Sequence, residues 1–276
     1  MSIEQSNCIR RFTRLCSDGY EQGWHEGNGG NLSYRMNDED IEVCLPYMAA
    51  KPGPWIECDV AVPNLGGAFF IVTGAGKHMR KVSIDLHTII GMIEINEAGD
   101  GYRVVWGFTD GAQPTSEFAA HLLTHSANVA VGRADDRVVY HAHVPDCVAL
   151  ANVVPADSRT ITRTLWKAMA EAVLMFPEGI GALGFYAPGS LQVAQANAQL
   201  MRTHRCAIWA HHGAILTART FDEAFGMMQT LEKAAGIYNT GRAMCGGGEP
   251  ALLLTDDQLR AICASYGQEP NAAYLD

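Results

Sequence analysis

The stretch Val138-Val139-Tyr140-His141-Ala142-His143 constrains this chain more than any other. Three large apolar residues in a row predict a buried β-strand, and two histidines follow at its end. Side chains alternate faces along a strand, so residues i and i+2 point the same way. His141 and His143 are therefore predicted side by side, with Ala142 turned to the other face. Neutral imidazole nitrogen is a good zinc ligand, and two rings converging on one space suit a divalent metal. The same pair also reads as two hydrogen-bonded histidines closing a strand. The metal reading needs the rest of the chain to supply a third ligand, a base and a substrate site.

The chain has 276 residues, 48% of them hydrophobic and 18% charged, which is a globular composition. No Pro/Ser-rich linker, internal repeat or long charge run divides it, so a single domain spanning 1–276 is expected. The net charge of -10 argues against a nucleic-acid partner, which needs a basic face. Met1 to Leu15 holds no apolar core of signal-peptide length, and no run approaches 18 consecutive apolar residues. The eight cysteines form no CxxC pair and read as reduced thiols. These features together predict a cytoplasmic protein without a membrane partner.

Taken in order, residues 2 to 24 read as a helix, with Ile9, Phe12, Leu15 and Cys16 at helical spacing. Glu26-Gly27-Asn28-Gly29-Gly30-Asn31-Leu32-Ser33 follows. Its glycines preclude regular helix and let backbone N–H groups converge, which makes either an anion cradle or a plain turn. Residues 32–36 and 40–45 read as a hairpin about Asn37-Asp38, and residues 46–67 as an irregular excursion. Phe69 to Val72 reads as a strand running into Thr73-Gly74-Ala75-Gly76-Lys77, where Lys77 is a phosphate partner or a surface lysine. Residues 91–96 and 102–108 read as antiparallel strands. In Pro114-Thr115-Ser116-Glu117, a hydroxyl stands before an apolar-periodic run, a helix N-cap signal. A helix N-terminus favours phosphate, and Glu117 in the first turn is either functional or a complement to the dipole. His121 and His125 lie on one face of that helix without an HExxH pattern, so they read as core or surface histidines.

Pro145 opens a helix to Val153, residues 158–172 read as helix, and Val173 to Phe176 as strand-like. A helix over 190–204 has Ser190 as N-cap. Cys206 to Ala210 is an apolar strand leading into His211-His212-Gly213. Strand alternation lets only one of those histidines face the HxH pair, and Gly213 would allow a sharp turn. Thr220-Phe221-Asp222-Glu223 and Thr255-Asp256-Asp257-Gln258 each have capping-box form and open the last two helices. Hairpins mixed with helices do not give the strict βαβα alternation of a Rossmann fold or TIM barrel. The elements predict an α/β fold with a largely antiparallel sheet and helices on both sides.

Together, GNGGNLS (27–33), FIVTGAGK (70–77), PTSE (114–117), HAH (141–143), HHG (211–213) and TFDEAFG (220–226) make the chain resemble the class II aldolase/adducin superfamily. It looks most like the rhamnulose-1-phosphate aldolase branch, over nearly the whole length. The resemblance implies a three-layer α/β/α domain with a mixed, largely antiparallel sheet, in a four-fold homotetramer with sites at subunit contacts. It implies one zinc ion per subunit on His141, His143 and His212, with Glu117 as acid/base. It implies a phosphate site from Asn28, Gly30, Asn31, Thr73, Gly74, Thr115 and Ser116. Ala75 stands where relatives often carry a serine, which removes one hydroxyl. Glu171 is implied as a second proton-transfer residue that reaches over from a neighbouring subunit.

The implied reaction is cleavage of L-rhamnulose 1-phosphate to dihydroxyacetone phosphate and L-lactaldehyde. L-fuculose-1-phosphate aldolase, or another sugar-phosphate aldolase or epimerase of the superfamily, is the alternative. Glu117 favours an aldolase, since the epimerases place an aspartate there. The insert at 46–67 and the WGFTDGAQPTSE run favour the rhamnulose branch. Adducin-like structural members lack the metal ligands that are present here. Three neutral histidines leave positions open on zinc, as catalysis requires. A base such as Glu117 works best with a pKa nearer neutrality, which burial could supply.

Overall fold

The computed structural model describes residues 2–276. Its strands are β1 (Asn31–Arg35), β2 (Ile56–Glu57), β3 (Phe69–Thr73), β4 (Ile90–Ile95), β5 (Gly101–Gly107), β6 (Val138–Ala142), β7 (Gly181–Leu183), β8 (Cys206–Trp209) and β9 (Gly213–Ala218). They form one nine-stranded sheet in the order β2-β5-β4-β3-β1-β6-β9-β8-β7. Only the β7–β8 pair is parallel. The helices are α1 (Asn7–Glu21), α2 (Asp38–Cys44), α3 (Leu86–Ile89), α4 (Phe118–Ala130), α5 (Pro145–Ala151), α6 (Ser158–Ala168), α7 (Ala170–Met175), α8 (Leu191–Leu200), α9 (Phe221–Met244) and α10 (Asp256–Ser265).

Alternation along β6 sorts the helices into two layers. Val138, Tyr140 and Ala142 face the larger core, shared with Phe12 of α1, Leu150 of α5, Trp166 of α6 and Leu231 of α9. Val139 faces the opposite way, into a core with Ala120 of α4, Val193 of α8, Trp209 and Ile215. His141 lies two residues beyond Val139 and so belongs to the α4 side. The expected α/β/α layering is what the sheet adopts. On α1 the predicted stripe of Ile9, Phe12, Leu15 and Cys16 is buried. Each large apolar side chain there stabilises by about 1.5–3 kcal/mol relative to an exposed one.

Four local expectations are overturned. The 40–45 segment is not the second arm of a hairpin but helix α2: Asn37 accepts from the Asp40 N–H at 2.8 Å as N-cap. Asp38, Glu39 and Asp40 then complement the helix dipole in its first turn. Val173 to Met175 belongs to helix α7 rather than to a strand. A strand not anticipated, β9, runs from Gly213 and pairs with both β6 and β8. The left-handed residue of the turn before it is His211, at φ 63°, not Gly213. Apart from the short β2 and β7, which the sequence did not mark, the other strands and the long helices fall where the sequence places them, within a few residues at their ends.

Candidate active site

Asn31 on β1, His141 on β6 and Ile215 on β9 are register partners, so three central strands end together at one edge of the sheet. His141, His143 and His212 converge there, with one nitrogen from each lying within 4.8 Å of the others. His141 is fully buried, and its Nδ1 donates to the Ala214 carbonyl at 2.9 Å. A carbonyl only accepts, so the proton sits on Nδ1 and Nε2 carries a bare lone pair. That Nε2 is buried without a hydrogen-bond partner. His143 follows the same logic: Nδ1 sits 2.6 Å from the Glu26 carboxylate, which leaves Nε2 for the shared space. Metal-ligating histidines are normally oriented by such carbonyl and carboxylate partners. The indole of Trp209 stacks on His141, with ring centroids 5.0 Å apart, and tilts against His212. The left-handed turn at His211 leaves that ring exposed and sends His212 inward, so one of the two adjacent histidines faces the pair, as expected. A buried orphan nitrogen, two fixed tautomers and a third imidazole fit a divalent metal.

Glu117 stands at the N-cap position of α4 and is buried. Its Oε2 lies 3.4 Å from His141 Nε2, and its Oε1 lies 3.5 Å from His212 Nε2. The Asn31 amide donates to Oε2 at 2.8 Å, whereas Oε1 has no hydrogen-bond partner. Burial by itself raises this carboxyl, yet His141, the Asn31 amide and His212 outweigh it and hold the pKa down to about 2. The expectation of a raised value is therefore overturned by the company the carboxylate keeps. Burial takes His141 down to about 3 and lowers His212 as well. At neutral pH the site thus presents a carboxylate and neutral imidazoles, the forms that a cation binds.

A cavity of about 610 Å³ opens beside these groups, lined by residues 26–31, Ser116, Glu117, His143, Pro188, Gly189 and His212. The glycine loop fits closely against the histidines. A Cβ on Gly29 would come within 2.7 Å of His143 Nδ1, and one on Gly30, at φ 70°, within 2.3 Å of His25 Nδ1. Of the residues expected at the phosphate, Asn28, Gly30, Asn31 and Ser116 line this cavity. Thr73, Gly74 and Thr115 lie outside its lining. Thr73 Oγ1 accepts from the Leu32 N–H, the Gly74 N–H goes to the Ile89 carbonyl, and Thr115 Oγ1 accepts from the Glu117 N–H. These three fasten β1, β3 and the start of α4 to one another.

Lys77 pairs with Asp110, and Glu171 is exposed in the first turn of α7. Sequence reasoning missed Glu26; His121 and His125, read as core or surface histidines, are core ones. His121 bonds to Asn31 and Ser33, and His125 to Ser33. Glu26 and His143 are 117 positions apart, and Ser33 is 88 and 92 positions from the two histidines.

An open cluster of three histidines next to a buried carboxylate, at the edge of a sheet covered by helices on both faces, has the parts of a metal-assisted lyase or epimerase. Residues 10–239 match the family described as Class II Aldolase and Adducin N-terminal domain, and the chain belongs to it. Rhamnulose-1-phosphate aldolase from Escherichia coli is 35% identical over 274 residues, 99% of this chain and 98% of that protein. The Klebsiella pneumoniae protein of the same name is 36% identical over 268 residues, 97% and 96% of the two chains. Among solved structures, the fold is similar to a sugar-phosphate aldolase from Thermotoga maritima, with a TM-score of 0.72 at 22% identity over 89% of this chain and 99% of that one. It is also similar to L-fuculose-1-phosphate aldolase from Thermus thermophilus, with a TM-score of 0.57 at 19% identity over 87% and 96%.

Proposed function

We propose that the protein is a zinc-dependent aldolase that cleaves L-rhamnulose 1-phosphate reversibly to dihydroxyacetone phosphate and L-lactaldehyde. The observation that carries this reading is the Glu117 carboxylate within 3.5 Å of two of three converging histidines. Full-length similarity to rhamnulose-1-phosphate aldolases supports the choice of substrate. His141, His143 and His212 would hold the ion, which supplies Lewis-acid polarisation of the ketose carbonyl and hydroxyl oxygens. Glu117 moves the proton at the carbon that becomes C3 of dihydroxyacetone phosphate. Its unpartnered Oε1 faces His212, and Asn31 fixes the other oxygen.

The phosphate rests in the glycine loop, with Asn28, the backbone around Gly30, and Ser116 as neutral donors. Asn31 has one amide hydrogen committed to Glu117 and a second left for the pocket. Thr73, Gly74 and Thr115 hold the strands on which that loop is built. Glu171 belongs, in this reading, to a neighbour's site within a homotetramer, as a second proton-transfer group.

The test is to assay purified protein against L-rhamnulose, L-fuculose and ribulose phosphates, with metal content measured by elemental analysis. Preference for the rhamnulose ester with one zinc per chain supports the reading. Preference for another ester, or full activity without metal, overturns it.

A further inference from the structure

A line of buried polar side chains runs from the candidate base into the α4 layer. Asn31 Nδ2 is 2.8 Å from Glu117 Oε2, and Asn31 Oδ1 is 2.5 Å from His121 Nε2. Ser33 Oγ is 2.7 Å from His121 Nδ1 and 2.9 Å from His125 Nε2. His121, His125 and Ser33 are at most 1% exposed. These groups take one another as hydrogen-bond partners, as buried polar groups require.

The proton positions follow by elimination. An ionised carboxylate only accepts, so the Asn31 NH₂ must face Glu117 and its carbonyl must face His121. A carbonyl only accepts, so His121 carries its proton on Nε2. Burial lowers the pKa of His121 to about 4, so the ring is neutral and Nδ1 is bare. Ser33 therefore spends its single O–H on His121 Nδ1. The remaining contact requires His125 to donate from Nε2 to Ser33 Oγ, which leaves His125 Nδ1 bare. That atom is buried with no partner, beside the edge-on ring of Phe70. Every donor thus points the same way, from His125 through Ser33, His121 and Asn31 to Glu117.

We propose that His121 is a positioning residue for Glu117: its Nε2–H fixes the Asn31 amide so that an N–H, never the carbonyl, meets the carboxylate. Ser33 and His125 lock the tautomer that makes this donation. Asn31 without this brace rotates freely, and a flipped amide sets its oxygen against the carboxylate and displaces it. This inference rests on Glu117 as the proton-transfer group of the aldol reaction.

Two experiments on the full-length, zinc-loaded protein test it. Long-range proton–nitrogen NMR of histidine-labelled protein reads the tautomers directly, with His121→Gln and His125→Gln assigning the signals. Both rings are expected in the Nε2–H form at neutral pH; an Nδ1–H form at His121 overturns the proposal, whether or not any variant folds. The second experiment is kinetic. His121→Leu is expected to lower kcat by about 10- to 100-fold, the scale of one lost hydrogen bond to a charged group. Zinc content stays unchanged, and His121→Gln, which keeps an N–H near the Nε2 position, recovers most of the loss. In a Glu117→Gln background the His121→Leu change adds no further loss, because the two act as one unit. A parental kcat in His121→Leu, or an equal loss in both backgrounds, overturns the proposal. Full activity of Glu117→Gln alone would instead overturn the functional reading and leave the tautomer result standing.

Discussion

At the scale of single residues, the site separates groups that look equivalent in sequence. His211 and His212 are neighbours, yet only His212 joins the cluster with His141 and His143. His212→Ala is expected to cost most of the bound zinc and His211→Ala little of it; elemental analysis of the purified variants decides, and the reverse pattern refutes the ligand set. Glu117→Gln is expected to keep metal and fold while lowering turnover by about 100-fold or more, the usual scale of general acid–base catalysis. Near-normal turnover there would make Glu117 a helix-terminus residue only. The pairing of His141 and His143 was legible because i and i+2 share a face of a strand, whereas alternation says only that one of two adjacent histidines turns away, and it was the resemblance that singled out His212. Glu26, Ser33, His121 and His125 were not legible in the same way. Their contacts join positions 88 to 117 apart and obey no local period. The depressed pKa of Glu117 was also hidden, since its sign depends on which groups the fold brings beside a buried carboxyl.

At the scale of elements, the sequence was clearest where one signal was unopposed. Thr255 and Gln258 form a reciprocal capping box and Ser190 caps its helix as read, while at Thr220 only half of the expected box forms, since Glu223 turns to the Arg219 N–H. It was ambiguous where one residue serves two structures. Asn37 suits a hairpin turn and a helix N-cap equally, and the three acids after it tip the balance to helix. Strand β9 was missed because every residue in it is buried, so no alternation marks it. Helix α5 shows a device that no local sequence contains. Val144 gives it no side-chain cap, and Glu232 of α9 supplies one from a distance. The Glu232 carboxylate accepts from the Asp146 N–H at 2.9 Å and the Cys147 N–H at 3.1 Å. This fastens the turn that directly follows His143 of the histidine cluster. Glu232→Ala is expected to destabilise the fold by about 1–3 kcal/mol, since it leaves part-buried donors unsatisfied. Denaturant unfolding measures it; an unchanged midpoint would mean that solvent caps α5 equally well.

At the scale of the whole molecule, the architecture follows from covering both faces of one sheet, and it seals His25, His121 and His125 outside the cluster of His141, His143 and His212. His25 bonds to Tyr140 at 2.8 Å under the glycine loop, and His121 and His125 bond to Ser33 under α4. Burial lowers His25 and His121 to about 4 and His125 well below its ordinary 6.5. An unfolded chain binds protons at all three below pH 6.5, whereas in the folded chain His25 and His121 do not until about pH 4 and His125 is held well below its ordinary range. Stability is therefore fully present above pH 6.5 and is lost as the pH falls from there toward 4. At about 1.4 kcal/mol per pH unit for each site, these three alone give a limiting slope of roughly 4 kcal/mol per unit, and His141, also lowered by burial, adds to it in the metal-free protein. A domain with about 5–15 kcal/mol in hand loses much of it within two units. The measurement is urea unfolding of the metal-free protein at pH 8, 7, 6 and 5, which excludes proton-driven metal release as a cause. The expected midpoint is flat from pH 8 to 7 and falls progressively at 6 and 5. His125→Gln, which removes one of the three titrating rings, is expected to flatten that fall. A midpoint that holds constant down to pH 5 would mean that these histidines are already protonated in the folded protein, and the chain of donors ending at Glu117 would fail with it.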